Sequence, residues 1–349
     1  MVTRDLQCTI GLLMLVAEFV TSQHRDPARM FLANTFKVTS AEMGRIDGGQ
    51  VVARSIPTGD PREVATLGVV RMRATPEFYA KQLTDIVAFK RDAAVLQIGR
   101  FGSVPDINDV AGLTLDDWDV RKLRECRVGS CGVQLSAGAI ERFRKDVDWR
   151  RNDASEQASG VMKDILFEYT TRYRTMGSGV YLHDGDESEP LDSGQEFVSL
   201  LDSNGEIWQH FGDLRRHLLE FPNAQPAHTT DILYWSKERA SRRTVLSVTH
   251  MAINRPTEGP AEYAIASKQI YATHYFDASL GLTVLLRDQT ASSPAMYVLY
   301  VNRSRVDVFN GMFGGIARGV VTARARALVA EQLERVQRMI ERQFAVASG

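Results

Sequence analysis

The chain predicts an α+β fold in which a curved antiparallel sheet grips a long C-terminal helix, with a mostly helical subdomain inserted. Three observations carry this. Strand–helix patterning spans residues 51–98, strand-rich patterning followed by a helix spans residues 244–344, and the stretch between them is dominated by helical periodicity. Neither flank has enough strands to close a sheet alone, so the two are expected to build one sheet together.

Composition bounds the classes. At 349 residues, 44% hydrophobic and 24% charged, the chain is an ordinary globular one with a sizeable core. A formal net charge of -1 argues against a nucleic-acid partner. Apart from the N-terminus, no run approaches the roughly 20 apolar residues of a membrane span. Leu6–Val20, behind Arg4 and ahead of the polar Thr21–Arg25, has the length of a signal-peptide core. Residues 1–22 are therefore read as a signal peptide, and the protein as exported. The alternative is a buried N-terminal helix in a cytoplasmic protein, favoured by Asp5, Glu18 and the lack of an A-x-A site. Loss of Cys8 with the signal leaves Cys126 and Cys131, which a Gly-containing turn can bring together. In an oxidising compartment they would pair as a disulfide.

The elements follow in order. Gln50–Arg54 and Glu63–Arg73 are strands. Thr75-Pro76 opens a helix over Glu77–Phe89, with the cap and the first-turn proline in their preferred places. Ala94–Ile98 is a strand. The helical insertion, residues 105–236, then holds helices after Asp117 and Ser136, a long one over Ser155–Met176, and two more over Gln195–Leu201 and Glu206–Glu220. The period returns to two at Thr244–Asn254, Tyr263–Phe276, Leu282–Arg287 and Met296–Asn302, with Asp277–Gly281 as a tight connection. Short connections make this an antiparallel meander. Ile316–Phe344 is a long amphipathic helix with Val321, Leu328, Val329, Leu333, Val336, Ile340 and Phe344 on one stripe. Residues 23–104 and 237–349 thus form one discontinuous domain.

This order resembles the helix-grip fold of START-type lipid-transfer domains and their plant-allergen-like, SRPBCC-type relatives. The resemblance rests on Val51–Asp92, with Thr75-Pro-Glu-Phe-Tyr and Leu83-Thr-Asp85-Ile-Val-Ala-Phe89, on the meander Tyr263–Asn302, and on the helix after Val301-Asn302-Arg303. It covers about 150 of 349 residues, and the insertion departs from it. As a whole the chain is also similar to exported bacterial proteins. The resemblance implies a cavity between the sheet and the last helix that binds or transports a hydrophobic, lipid-like small molecule.

Candidate ligand-binding residues are Lys268, Tyr271, His274, Tyr275, Arg287 and Tyr300, polar groups on strands expected to meet such a cavity. His250 and His274 invite a metal reading. Pairing Asn254 near Ile265 sets His250 opposite Gln269 and His274 opposite Val245, several residues apart, so both are read as isolated histidines and no metal site is expected. Gly311–Gly315 matches neither G-x-G-x-x-G nor a P-loop, so no nucleotide cofactor is expected, although a helix start there can take an anionic head group. Six arginines on the last helix suggest a membrane surface; Glu331, Glu334 and Glu341 dilute them and favour a solvated face. His183–Glu189 lacks the spacing of a calcium loop and is an acidic loop. No hydrolase or metalloprotease motif occurs, and the reading leans away from an enzyme. Two alternatives stand. One is a cavity enzyme, such as a cyclase or dehydratase, using His274 with Tyr271 or Arg287. The other is an envelope interaction protein acting through the insertion.

Overall fold

A computed structural model describes residues 26–177, 193–203, 205–240, 243–306 and 314–349. The expected signal segment, the acidic loop and most of Gly311–Gly315 lie outside the described residues.

Eight antiparallel strands form one sheet: β1 (Val52–Ile56), β2 (Glu63–Met72), β3 (Val95–Arg100), β4 (Thr229–Ala240), β5 (Arg243–Asn254), β6 (Ala261–Ala272), β7 (Phe276–Arg287) and β8 (Met296–Val306). Their order is β1-β2-β8-β7-β6-β5-β4-β3. The two flanks do complete one sheet. Strand β2 pairs with β8 from Glu63 opposite Arg305 to Met72 opposite Met296, and β3 pairs with β4 at the other edge. The architecture, a curved sheet with a C-terminal helix packed on it, is compatible with a helix grip.

The helices are α1 (Pro27–Phe36), α2 (Ser40–Asp47), α3 (Pro76–Leu83), α4 (Ile86–Phe89), α5 (Asp117–Glu125), α6 (Ala137–Asp146), α7 (Ala154–Met176), α8 (Ser193–Asp202), α9 (Gly205–Trp208), α10 (Gly212–Glu220) and α11 (Gly314–Ser348). Thr75 caps α3 as expected, its hydroxyl accepting from the Phe78 N–H at 3.2 Å. The single helix expected over Glu77–Phe89 is broken, because Asp85 caps a fresh turn by accepting from the Ala88 N–H at 3.1 Å.

Helices cover both faces of the sheet. On one face lie α3, α4 and α11, whose Tyr79, Leu83, Ile86, Phe89, Val329, Leu333, Val336 and Ile340 pack on Val70, Met251, Ile265, Leu285 and Val298. Helix α11 runs back along β2. Arg318 near its start donates to the Thr58 hydroxyl at 2.6 Å, and Glu341 near its end accepts from the Arg73 N–H at 2.9 Å. Close approach depends on Gly68, where a Cβ would run into the ends of Val329 and Leu333. On the other face α1, α2, α8 and α10 lie over Leu67, Ala264, Leu282 and Val301, while α5, α6 and α7 lie over Leu233, Trp235, Val248 and Ile270.

Two strand readings are corrected. Strand β4 begins within the stretch read as helical insertion, residues 105–236; it is buried on both faces over Ile232–Lys237, so it shows no clean alternation. Asp277–Gly281 belongs to β7, and the true turn is at Thr273–Tyr275, where Tyr275 takes a φ of 70°.

Candidate functional site

On the α11 side of the central strands an alternation of burial marks a candidate recess. Along β6 Ser267 and Gln269 are half-buried while Ala266, Lys268 and Ile270 are buried; on β7 Ser279 and Thr283 are half-buried between buried Leu280 and Leu282. On β8 Tyr300 and Asn302 are half-buried, with Val301 buried between them. The register puts these groups side by side, with Ser267 opposite Gly281, Gly281 opposite Asn302, and Thr283 opposite Tyr300. The open positions are thus contiguous on one face, in the middle of an eight-stranded sheet. Central strands of a plain core would be shut on both faces.

A charged pair links the α4 end to the sheet. Lys90, just after α4, reaches Glu238 of β4 at 2.7 Å, and its ammonium sits 5.5 Å from the Tyr234 ring. The Lys90 and Glu238 side chains keep 26% and 34% of their surface open. Burial works against the Lys90 charge, but the Tyr234 phenol and the Glu238 carboxylate outweigh it and hold its pKa above the ordinary lysine value. Glu238 is held low for the reciprocal reason, and burial pushes the Tyr300 phenol up. Gly281 makes room for that phenol, since a Cβ there would lie 3.1 Å from the Tyr300 oxygen. Arg335 of α11 bridges to Asp92 at 3.3 Å, and the Phe78 and Phe344 rings meet at 5.1 Å, so α11 and the α3–α4 segment are joined to each other. Toward the start of α11 a groove of about 490 Å³ runs between α11 and β1–β2, lined by Thr58, Glu63, Arg318 and Arg326 among others.

Of the six candidate ligand residues, Tyr300 faces this recess. Lys268 points to the opposite face, fully buried, donating to the Leu218 carbonyl at 3.0 Å with its ammonium 4.2 Å from the Phe197 ring. Burial lowers its pKa to about 7. Tyr271 donates to the Gln134 carbonyl at 3.1 Å, because an irregularity at Val248/Thr249 turns it toward the insertion helices. His274, in the turn after β6, donates to Asp119 at 2.8 Å. Tyr275 lies beside it with the Arg243 guanidinium 5.9 Å from its ring. Arg287, at the end of β7, is paired with Glu77 at 2.7 Å and with Glu262.

The expected register was off by one. Asn254 pairs with Ala264, so His250 stands opposite Lys268 instead of Gln269. The two histidines are separate, as the spacing argument held. His250 nevertheless has a partner that spacing could not reveal. Asp231, diagonal to it on β4, accepts at one oxygen from His250 Nε2 at 2.8 Å and from His217 Nε2 of α10 at 2.7 Å. His250 Nδ1 meets the Tyr173 hydroxyl at 2.9 Å, His217 Nδ1 meets the Ala224 carbonyl, and Gln225 donates to the second Asp231 oxygen at 3.3 Å. Burial opposes the charge on His217, but Asp231 and the Ala224 carbonyl outweigh it and raise its pKa; burial lowers that of His250. Asp231 is pushed well below the usual carboxylate range, because its two histidines outweigh the cost of burial. Among the described residues these three are a group with the donor types and spacing to hold a metal ion. Neither the Asp231–His250 pairing nor the approach of His217 was readable from sequence, because Asp231 lies on a strand whose period of two is lost and His217 arrives from a helix.

Cys126 and Cys131 form a disulfide. Among the described residues no helix is long and apolar enough to cross a membrane. No protein-family model matches the chain, and no curated protein matches it.

Proposed function

We propose that the protein is a START-like helix-grip carrier that binds or transports a hydrophobic, lipid-like small molecule in the recess between the sheet and α11. The observation that carries this reading is the run of half-buried positions Ser267, Gln269, Ser279, Thr283, Tyr300 and Asn302 in the middle of the sheet, on the face that also carries α3, α4 and α11. Partly buried apolar side chains of the same cluster, Val87, Ile98 and Met339 among them, remove ligand surface from water, a gain of roughly 25 cal/mol per Å² before ordering costs. Tyr300, Asn302 and the Lys90–Glu238 pair hold a polar end of the ligand. The Cys126–Cys131 disulfide supports an exported setting.

Native mass spectrometry of the purified protein, together with uptake of fluorescent fatty acid and sterol probes, tests this. A bound apolar molecule, or saturable uptake lost in Ser267→Trp, is the expected result. A protein that carries nothing and takes up neither probe overturns it.

A cavity enzyme is the second reading. The set His274, Tyr271 and Arg287 is dispersed, so the observation in its favour is the convergence of Lys90, Glu238, Tyr234 and Tyr300 on the recess. Chemical conversion of a bound probe, lost in Glu238→Gln, would establish it in place of the carrier.

A further inference from the structure

On the face of the sheet away from the recess, we infer that His217, Asp231 and His250 form a mononuclear binding site for a divalent first-row transition metal of the zinc class. The inference is independent of what the recess binds.

The donors come from three elements. His217 is on α10, Asp231 on β4 and His250 on β5, and their ligand atoms lie within 4.8 Å of one another. Both histidines are fully buried. In each, Nε2 points at the same Asp231 oxygen, at 2.7 and 2.8 Å. Zinc takes imidazole nitrogen and carboxylate oxygen at about 2.0–2.2 Å, which places ligand atoms of a tetrahedral site roughly 3.3–3.5 Å apart. Lengthening the two Nε2–Asp231 separations by roughly 0.5–0.8 Å therefore brings them to the spacing of zinc-bound ligand atoms.

The outer contacts are those a metal-bound histidine needs. Ring orientation and tautomer are fixed when Nδ1 is held by a carbonyl, carboxylate or other polar oxygen, leaving Nε2 for the ion. The Ala224 carbonyl accepts from His217 Nδ1, the Tyr173 oxygen can accept from His250 Nδ1, and Gln225 holds the second Asp231 oxygen. Two imidazoles and one carboxylate select borderline transition metals over magnesium or calcium, which prefer all-oxygen sites. Three protein ligands leave the fourth position to water or to the second Asp231 oxygen. The nearest cation on β6, Lys268, is directed to the Leu218 carbonyl. An ion here would tie α10 to β4 and β5, and through Tyr173 to α7.

The test uses the full chain, stripped with a chelator and titrated with Co²⁺ and then with Zn²⁺ in competition. One equivalent of cobalt with visible d–d bands, displaced by zinc, is expected, along with a higher melting temperature in zinc. Outer-shell partners alone are worth 10–100-fold in affinity, so Asp231→Asn and His217→Gln should each lose more than about 100-fold, and Tyr173→Phe about tenfold or more. His274→Gln should bind as the unmodified protein does. No stoichiometric binding, or equal binding by the Asp231 and His217 variants, overturns the inference. Should those variants fail to fold, X-ray absorption of the zinc-loaded unmodified protein decides: two imidazoles with oxygen support the site, and a shell with sulfur or oxygen only refutes it.

Discussion

Glu63 and Arg303 offer a demanding test of how this sheet is held together. Glu63 opens β2 and Arg303 lies diagonal to it on β8, with side chains only 1% and 8% exposed. Arg303 donates to Glu63, which also accepts from the Ser203 hydroxyl at 3.2 Å. Beside them Arg305 pairs with Asp60 and with Glu196 of α8, and Arg62 reaches Glu196 at 3.1 Å. The network is incompletely satisfied, since Arg303 Nε and Arg305 Nε find no acceptor. Glu63→Leu strands the Arg303 guanidinium in the interior, at a cost of about 3–5 kcal/mol, and Arg303→Met strands the carboxylate at a similar cost. The double variant removes both charges and their desolvation together, so it should lie within about 2 kcal/mol of the unmodified protein, where additivity would demand roughly 6–10. Urea unfolding by linear extrapolation reads all four proteins, provided the slope is unchanged. Raising the salt concentration should alter the single-variant penalties little, because buried pairs are weakly screened. A Glu63→Leu cost below about 1 kcal/mol, or a double variant that loses the full sum, would refute the reasoning.

Three further outcomes are expected. Gly177, which ends α7 at φ 62° and ψ -140°, cannot take a side chain, because a Cβ would overlap the Phe221 carbonyl; Gly177→Ala should cost at least about 2 kcal/mol by thermal melting, and a neutral result would contradict that packing. Burial raises the Asp288 pKa, but Thr290 and Arg71, the latter at 2.7 Å, outweigh it and hold it below the usual value. Its stabilising contribution is therefore complete above about pH 4 and is lost as pH falls through the lowered pKa; Asp288→Asn should reduce the steepness of acid unfolding below pH 4 and lower stability at pH 7. The Cys126–Cys131 bridge closes a loop with a sequence separation of 5, so its reduction should cost about 2 kcal/mol, measured as a fall in melting temperature with reductant that is absent in a Cys126→Ser, Cys131→Ser variant.

Much of the scaffold was legible in local signals. Thr75-Pro76 marked the start of α3, the apolar stripe of Val329, Leu333, Val336 and Ile340 marked the buried face of α11, and the turn between Cys126 and Cys131 marked their pairing. Strand β4 was missed because a strand buried on both faces loses the period of two. The Lys90–Glu238 pair was not legible, because the two residues sit far apart in sequence and meet only when the segment after α4 folds onto β4.

The order of residues settled most of the strands and helices, those whose spacing, caps and turns lie within a few positions, but not β4 or the break between α3 and α4. It also required the distant flanks to share one sheet, because neither has the strands to bury its own face. Which face each side chain meets was left to the assembled molecule. A one-residue change in pairing placed His250 opposite Lys268, and a single irregularity turned Tyr271 away from the recess, since facing reverses with every step along a strand. Likewise, only the docking of α10 on the sheet brought His217 to Asp231 and His250, a meeting that no local pattern encodes.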